Sequence, residues 1–252
     1  MNPWWAGRES FEEFVNFKTG YKYRDRLSDF FAIEKTKTCE LLEEYLNFGG
    51  YPRIVLGEKQ SEKIELINEI YQSYIERDIS YLLKVHKTES FSNLVKVIAS
   101  QIGRLVNFSE LSSTLGISLK TLKDYLWYLE KTFILLGIFG NLRDISFAFE
   151  NFVFLLLKEK TRRSPLKIQF WRTKDGGEVD FVIDTDRYPI PIEVKYKRLS
   201  KPEITRSLRS FIQRYKPEKA LVVNLTLEAS ISLNYTRIEI VPFHKPLKEP
   251  IL

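Results

Sequence analysis

The sequence has few of the residues that build disulfides or nitrogen and sulfur metal sites. It contains one cysteine, Cys39, and two histidines, His86 and His244, which lie far apart in the chain. A disulfide framework and a structural zinc site are therefore excluded. Any metal ion that the protein binds must use oxygen ligands.

Long apolar runs and a phosphate-binding loop are also absent from the sequence. The longest apolar run, residues 133–139, is far shorter than the roughly 20 residues that span a bilayer. The N-terminal residues do not have the basic-then-apolar layout of a signal peptide, so we expect a cytoplasmic protein with no membrane partner. No Gly-x-x-x-x-Gly-Lys-Ser/Thr motif occurs, so we expect no ATP hydrolysis of that kind from this chain.

The composition is that of a globular protein with a modest basic excess. The 252 residues can form one large domain or two or three small ones, and 44% of them are hydrophobic. Lysine and arginine number 39 against 33 aspartates and glutamates, which gives a net charge of +6. This excess permits a nucleic-acid partner but does not require one.

Residues 178–196 contain the strongest candidate for a catalytic or metal-binding site, because Asp180, Glu193 and Lys195 lie on what the sequence predicts to be one hairpin. Residues 178–184 and 190–196 are rich in apolar and β-branched side chains, and residues 185–188 have turn chemistry, which predicts an antiparallel hairpin. A turn centred between residues 186 and 187 puts Asp180 opposite Glu193, with Lys195 on the face of Glu193. Because neighbouring carboxylates repel each other, either Lys195 compensates their charge or a divalent cation lies between them.

The first half of the chain is predicted to be helical. Apolar residues at helical spacing predict helices over residues 39–47, 61–84 and 89–103. A short helix from Ser109, a turn at residues 115–118 and a longer helix over 121–132 predict a helix-turn-helix, with residues 133–139 as its wing. Its predicted core consists of Leu111, Leu115, Ile117, Leu122, Leu126 and Leu129.

The second half is predicted to have the element order αβββαβ. These elements are a helix over 147–160, a strand over 167–171, the hairpin, a helix over 202–215 and a strand over 220–224, and residues 238–241 would add an edge strand. The short polar stretch 140–144 is the expected domain boundary. We therefore predict an α+β or α/β fold with a helical region over 1–104, a winged helix-turn-helix over 105–144 and a third domain over 145–252.

The αβββαβ order, with Asp180 followed by Glu193-Val194-Lys195, resembles the PD-(D/E)xK nuclease superfamily, whose domain is restriction-endonuclease-like. The resemblance covers about residues 145–245, and the leading proline of the motif is absent here. It implies a Mg²⁺ or Mn²⁺ site with Asp180, Glu193 and the carbonyl of Val194 as metal ligands and Glu150 as an outer ligand. It also implies that Asp180, Glu193 and Lys195 are catalytic, with Lys195 positioning or activating the attacking water.

Nearly the whole chain is similar to the C-terminal region of prokaryotic AAA-type ATPases that carry an uncharacterised conserved domain after the nucleotide-binding module. The similarity is carried by Gly49-Gly50-Tyr51-Pro52, residues 74–79, residues 115–118, Tyr125-Leu126 with Leu129-Glu130, and Phe170-Trp171-Arg172 with residues 178–181. It implies an ATPase domain or partner chain as a partner. The nucleotide-binding module is absent, with residues 7–14 similar only to its tail, and the segment before the nuclease-like half is shorter than usual.

Each of these features also has a plainer interpretation. The acids and the lysine of the hairpin could form only a surface salt-bridge cluster. Six residues are candidates for contact with nucleic-acid phosphates: Lys120, Thr121 and Lys123 on the helix-turn-helix, and Arg172, Lys197 and Arg198 around the hairpin. The alternatives are a purely architectural helix-turn-helix and a solvated basic face.

The predicted function is that of a DNA-associated module of an AAA-type ATPase system with a Mg²⁺-dependent phosphodiesterase site, a possible DNA endonuclease. The alternative is a catalytically inactive module that binds nucleic acid or the ATPase. A third interpretation, an ATPase remnant that serves as a toxin-like or defence component, is left open by the sequence.

Overall fold

The chain forms two compact units. The computed structural model describes residues 10–74, 88–100, 107–132, 145–161, 164, 166–173, 176–185 and 187–245. One unit comprises Met1–Phe30 and Thr36–Asp144, and the other comprises Phe31–Lys35 and Ile145–Leu252. The described residues form helices and one six-stranded mixed sheet, which confirms the prediction of a mixed α and β protein.

All described elements before residue 145 are helices. They are α1 (Phe11–Lys18), α2 (Leu27–Ile33), α3 (Lys35–Phe48), α4 (Pro52–Val55), α5 (Gln60–Tyr74), α6 (Thr88–Ser100), α7 (Phe108–Leu115) and α8 (Leu119–Thr132). Helices α3, α5 and α6 correspond to the three helices predicted over 39–103. Parts of those predictions, residues 75–84 and 101–103, and the predicted wing over 133–139 lie outside the described residues. None of the described helices is long and apolar enough to cross a bilayer.

The sequence prediction does not include α1, although the start of this helix has a clear signal. The side chain of Ser10 accepts a hydrogen bond from the N–H of Glu13, and the carboxylate of Glu13 accepts one from the N–H of Ser10. This capping box satisfies two of the N–H groups that the first turn of a helix leaves without a partner.

Helices α7 and α8 correspond to the short and the longer helix that the sequence predicts on either side of a turn at residues 115–118. The side chain of Asn107 caps α7 by accepting from the N–H groups of Ser109 and Glu110. Gly116 ends α7 with φ of 61°, a left-handed conformation that glycine adopts without steric cost, and this permits the sharp turn into α8.

Helices α7 and α8 share their apolar core with α6. All six residues of the predicted core are part of it, three of them buried (Leu111, Leu122, Leu129) and three partly buried against them (Leu115, Ile117, Leu126). Helix α6 adds Phe91, Leu94 and Val95, so one core extends across residue 104, where the sequence predicts a domain boundary.

The second unit contains the sheet. Its elements are α9 (Ile145–Thr161), β1 (Lys167–Arg172), β2 (Glu178–Asp184), β3 (Pro189–Val194), α10 (Arg206–Tyr215), β4 (Lys219–Asn224), β5 (Ala229–Leu233) and β6 (Thr236–Pro242). The strand order is β1-β2-β3-β4-β6-β5. Strand β4 runs parallel to β3 and β6, and the other pairs are antiparallel. The predicted αβββαβ order is found, followed by two more strands.

Apolar side chains of the helices cover the central strands. Leu208 and Ile212 of α10 pack with alternate residues of β4 and β6, namely Ala220, Val222, Ile238 and Ile240. Phe149 of α9 is fully buried and contacts Phe243, which follows β6. Strands β3 and β4 are almost continuously apolar and buried, as expected for strands in the middle of a covered sheet.

Two predictions about the second unit are wrong. Strand β6, predicted as an edge strand over 238–241, lies between β4 and β5, and β5 forms the edge. Strand β5 is short, its Ser230 and Ser232 are exposed, and a tight turn with Asn234 at φ of 54° joins it to β6. The helix predicted over 202–215 begins only at Arg206, because Thr205 caps it by accepting the N–H of Leu208.

Removal of a buried leucine from the α6–α8 core tests its contribution to stability. Leu122 has no exposed surface, so Leu122→Ala should lower the free energy of unfolding of the first unit by about 2 to 5 kcal/mol. Leu119 of the same helix is 46% exposed, and Leu119→Ala should change it by less than about 0.5 kcal/mol. Urea unfolding followed by circular dichroism measures both variants, and equal losses would contradict the assignment of Leu122 to the core.

Candidate functional site

The β2–β3 hairpin has the register predicted from the sequence. Phe181 pairs with Ile192, and the ladder continues without interruption to the turn. The paired positions end at Phe181 and Ile192, so Asp180 and Glu193 directly follow the last pair. The charge of Glu193 raises the pKa of Asp180, which shows that the two carboxylates are close to each other.

Two hydrogen-bonding or charged partners meet these carboxylates from the end of β3. The amide N–H of Val194 donates to Oδ2 of Asp180 over 2.7 Å. The Nζ atom of Lys195 lies 3.5 Å from Oε1 of Glu193. Asp180, Glu193, Val194 and Lys195 thus lie in contact with one another, and their roles as metal ligands and catalytic groups stay predictions.

A bulge in β2 lies at the site, and strict alternation along the strand does not reveal it. Gln169 of β1 pairs with Val182, but Trp171 pairs with Val179, so Phe170 alone faces Asp180 and Phe181. Bulges bend a strand and change the direction of a side chain, and they are common beside active sites. As a consequence, Val179 and Val182 belong to one apolar cluster, although they are three positions apart.

Two side chains at the start of α10 also form hydrogen bonds with the hairpin, and the sequence did not indicate either contact. The hydroxyl of Thr205 donates to Oε2 of Glu193 over 2.7 Å. The N–H of Glu178, at the start of β2, donates to Oγ of Ser207 over 3.2 Å. A threonine just before an amphipathic helix is a recognisable capping signal, but nothing local shows that this cap contacts a carboxylate on another strand.

Burial of the two acids changes their proton affinity. The pKa of Asp180 is raised from 3.8 to about 6, chiefly by burial, with smaller upward contributions from the charges of Glu193 and Glu178. The hydrogen bond from the Val194 N–H and the charge of Lys195 oppose this shift. Burial also raises the pKa of Glu193, and its hydrogen bonds with Thr205 and Lys195 oppose that shift. The lysine therefore compensates this pair only in part.

The donor set fits a hard divalent cation. It consists of carboxylate oxygens, which Mg²⁺ and Mn²⁺ prefer, and a cation would offset the burial and, to a smaller extent, the nearby negative charges that raise the pKa of Asp180. Among the described residues, Oδ1 of Asp180 has no hydrogen-bond partner. Mg²⁺ is typically bound by one or two carboxylates and several waters, so two acids are sufficient in number.

A third acid does not complete the site in the described part of the second unit. Glu150 lies on α9 and is partly buried, and the ring of the preceding Phe149 contacts Tyr196 with centroids 5.4 Å apart. Within the described ranges, no three His, Cys, Asp or Glu side chains come together as a metal-binding group. The role of Glu150 as an outer ligand stays a prediction.

Of the three basic residues near the hairpin that are predicted to contact phosphates, two form salt bridges with acids. Arg172 donates to Oε1 of Glu178 through Nε and Nη2, at 2.9 and 2.6 Å. Lys197 donates to both carboxylate oxygens of Glu203 at 3.0 and 3.1 Å, and this interaction lowers the pKa of Glu203. Arg198 is exposed. Two of the three basic residues near the hairpin are thus paired with acids.

The other three residues predicted to contact nucleic-acid phosphates, Lys120, Thr121 and Lys123, lie in the first unit. Lys120 and Lys123 are exposed on the first turns of α8. The hydroxyl of Thr121 lies 2.8 Å from that of Ser118, whose oxygen also accepts the Thr121 N–H over 3.0 Å. Thr121 therefore takes part in the start of α8, and the two lysines carry the outward charge.

Comparison with known families gives two matches, one in each half of the chain. Residues 39–140 match a family described as Domain of unknown function (DUF8612). Residues 146–245 match a family described as Domain of unknown function (DUF4143). The second match agrees with the uncharacterised conserved domain that the sequence similarity implies.

Curated relatives are also uncharacterised. An uncharacterized protein of Methanocaldococcus jannaschii is 23% identical over 277 residues, which covers 94% of this chain and 61% of that protein. An uncharacterized protein of Haemophilus influenzae is 28% identical over 130 residues, which covers 50% of this chain and 30% of that protein. The chain thus spans about three fifths of the first relative and less than a third of the second.

Among solved structures, the chain is similar to one in a half-complex of Thermococcus gammatolerans McrB AAA+ hexamers with bound McrC. The identity is 12% and the TM-score is 0.35, with 62% of this chain and 47% of that chain covered. A likeness of this size carries no argument about function.

Neutralising Asp180 should stabilise the metal-free protein at neutral pH. The folded state holds the Asp180 proton more tightly than the unfolded state, so the cost of ionisation grows as pH rises from about 4 to 6 and is complete above that range. Asp180→Asn removes this cost and keeps an oxygen that can accept the Val194 N–H. We expect a gain of about 1 to 3 kcal/mol at pH 7.5.

Urea unfolding at pH 7.5 and pH 4.5, in the presence of a chelator, measures this gain. The difference between Asp180→Asn and the parent should shrink at the lower pH. Asp184→Asn, an exposed carboxylate on the same strand, is the matched control and should show little change. An Asp180→Asn protein that is no more stable than the parent at pH 7.5 would contradict the electrostatic account of the site.

Proposed function

We propose that the chain is a nucleic-acid-cleaving module that hydrolyses phosphodiester bonds of DNA with a divalent cation. One observation supports the proposal most strongly: the half-buried carboxylate of Asp180 and the buried carboxylate of Glu193 lie close together on the β2–β3 hairpin, with the ammonium of Lys195 beside Glu193. A pair of acids with perturbed proton affinity and an adjacent lysine suits metal-assisted hydrolysis of phosphate esters.

Each residue of the site has a defined part in this chemistry. A bound cation would polarise a phosphoryl oxygen and orient the attacking water. Asp180 and Glu193 would hold it through their carboxylate oxygens, and the Val194 carbonyl is the proposed third protein ligand. Lys195 would offset the negative charge that develops on the phosphate, since a fixed ammonium at the reacting group lowers the barrier. The carbonyl of Glu203, 3.5 Å from Nζ, helps to orient this lysine.

DNA contact would use basic residues that are not already paired with acids. Arg198 near the hairpin and Lys120 and Lys123 on α8 are exposed and suit the phosphate backbone. For Arg172 and Lys197, contact with phosphate would require exchange of their present carboxylate partners. We therefore assign them a smaller share of binding than the sequence alone suggests.

We further propose that the module works with an AAA-type ATPase, as a domain of the same protein or as a partner chain. The similarity of residues 49–181 to the C-terminal region of such ATPases supports this association. The match of residues 146–245 to DUF4143 is consistent with it.

A second candidate is a catalytically inactive module of the same system that binds nucleic acid or the ATPase. The observation in its favour is that, in the described ranges, no third acid joins Asp180 and Glu193. In that case Lys195 would be the permanent partner of Glu193, and the hairpin would be a binding surface only.

Cleavage of supercoiled plasmid separates the two candidates. With Mg²⁺ or Mn²⁺ the parent should produce nicked or linear DNA, and Asp180→Ala, Glu193→Gln and Lys195→Ala should each lower the rate by about 100-fold or more, because each removes a group that acts directly on the reaction. Asp184→Asn is the control and should cleave at the parental rate.

Equal cleavage by Asp180→Ala and the parent would overturn the enzyme assignment, because it would show a contaminating nuclease. Retention of labelled DNA by the parent without cleavage, in either metal, would favour the inactive binding module.

A further inference from the structure

The hydroxyl of Thr205 makes two hydrogen bonds whose directions are determined. The N–H of Leu208 donates to Oγ1 of Thr205 over 3.1 Å, which is the capping bond of α10. The Thr205 hydroxyl has one proton to donate, and Oε2 of Glu193 lies 2.7 Å from Oγ1 of Thr205. Because a carboxylate can only accept, Thr205 is the donor of this bond.

The carboxylate of Glu193 is consequently held on both sides. Its Oε2 accepts from Thr205, and its Oε1 faces the ammonium of Lys195 at 3.5 Å. Only 8% of Glu193 is exposed, so water has little access to replace the threonine hydroxyl. Outside the hairpin, this carboxylate is therefore held by Thr205, through its hydroxyl and also through its backbone.

The segment that carries Thr205 is anchored to both strands of the hairpin. Ser207 accepts from the Glu178 N–H at the start of β2, and the Glu203 carbonyl accepts from Nζ of Lys195 after β3. The Glu203 carboxylate also binds Lys197. The threonine hydroxyl is therefore presented to Glu193 by a fixed backbone.

We propose that Thr205 is a positioning residue that holds Glu193 in the orientation needed to bind a divalent cation with Asp180. This role rests on the proposed metal site. A cap alone does not explain a threonine here, because aspartate or asparagine would accept the Leu208 N–H equally well. Accepting that bond and donating to a buried carboxylate from one atom requires a hydroxyl.

Calorimetric titration with Mn²⁺ tests the role without relying on activity. Thr205→Val keeps the shape of the side chain and removes the hydroxyl, and it should weaken Mn²⁺ binding by about 10- to 100-fold, as loss of a partner that orients a metal ligand does. Thr205→Ser keeps the hydroxyl and should bind within about twofold of the parent, since both bonds can still form. Ser10→Ala removes a cap from α1 in the other unit, and its affinity for Mn²⁺ should be unchanged.

Parental affinity in Thr205→Val, or failure of Thr205→Ser to restore binding, would overturn the proposal. If the parent itself binds no Mn²⁺, the metal site and the proposed function fail, and crystal structures of the parent and Thr205→Val then decide the role of Thr205. A displaced Glu193 carboxylate in the variant supports the positioning role, and an unchanged one overturns it.

Discussion

Asp180 and Glu193 lie side by side on the β2–β3 hairpin, and burial raises the pKa of both carboxyls. Neighbouring carboxylates that are withdrawn from water destabilise a fold unless a hydrogen bond or a positive charge compensates each of them. Asp180 accepts a hydrogen bond from the Val194 N–H. Glu193 accepts one from the Thr205 hydroxyl and forms an ion pair with Lys195.

Compensation by these partners is incomplete, and this is the physical basis for assigning a function. A structural ion pair would be expected to lower the pKa of its acids, as Lys18 and Lys63 lower that of Glu44 in the first unit against the effect of burial. At the hairpin the shift has the opposite sign, although a lysine is present. Buried acids whose pKa stays raised although a lysine is nearby are typical of functional sites.

The local part of this site could be predicted from the sequence. Hairpin register depends on alternation and on the turn, both of which are visible in neighbouring residues, and so the predicted register agrees with the pairs from Phe181–Ile192 to the turn. The bulge at Asp180 could not be predicted, because it depends on the pairing of β2 with β1 on its other side. Thr205 was missed for a similar reason: its capping signal is local, but its contact with Glu193 is tertiary.

The same distinction applies to the fold. Amphipathic spacing predicts α3, α5, α6 and α8 and the core of the helix-turn-helix, because the pattern reports directly which face is buried. The position of β6 inside the sheet depends on β5, a short strand with alternating serines that gives a weak signal. Likewise, the sequence shows that Arg172 and Lys197 are basic, but only the structure shows that they form salt bridges with Glu178 and Glu203.

A crystal of the protein soaked in Mn²⁺ shows whether the proposed cation site at Asp180 and Glu193 exists. We expect an anomalous difference peak at about 2.0 to 2.2 Å from oxygens of both Asp180 and Glu193, the distance typical of small divalent cations with oxygen ligands. Density for Mn²⁺ elsewhere, with Lys195 still against Glu193 and no peak between the two acids, would contradict the proposed site.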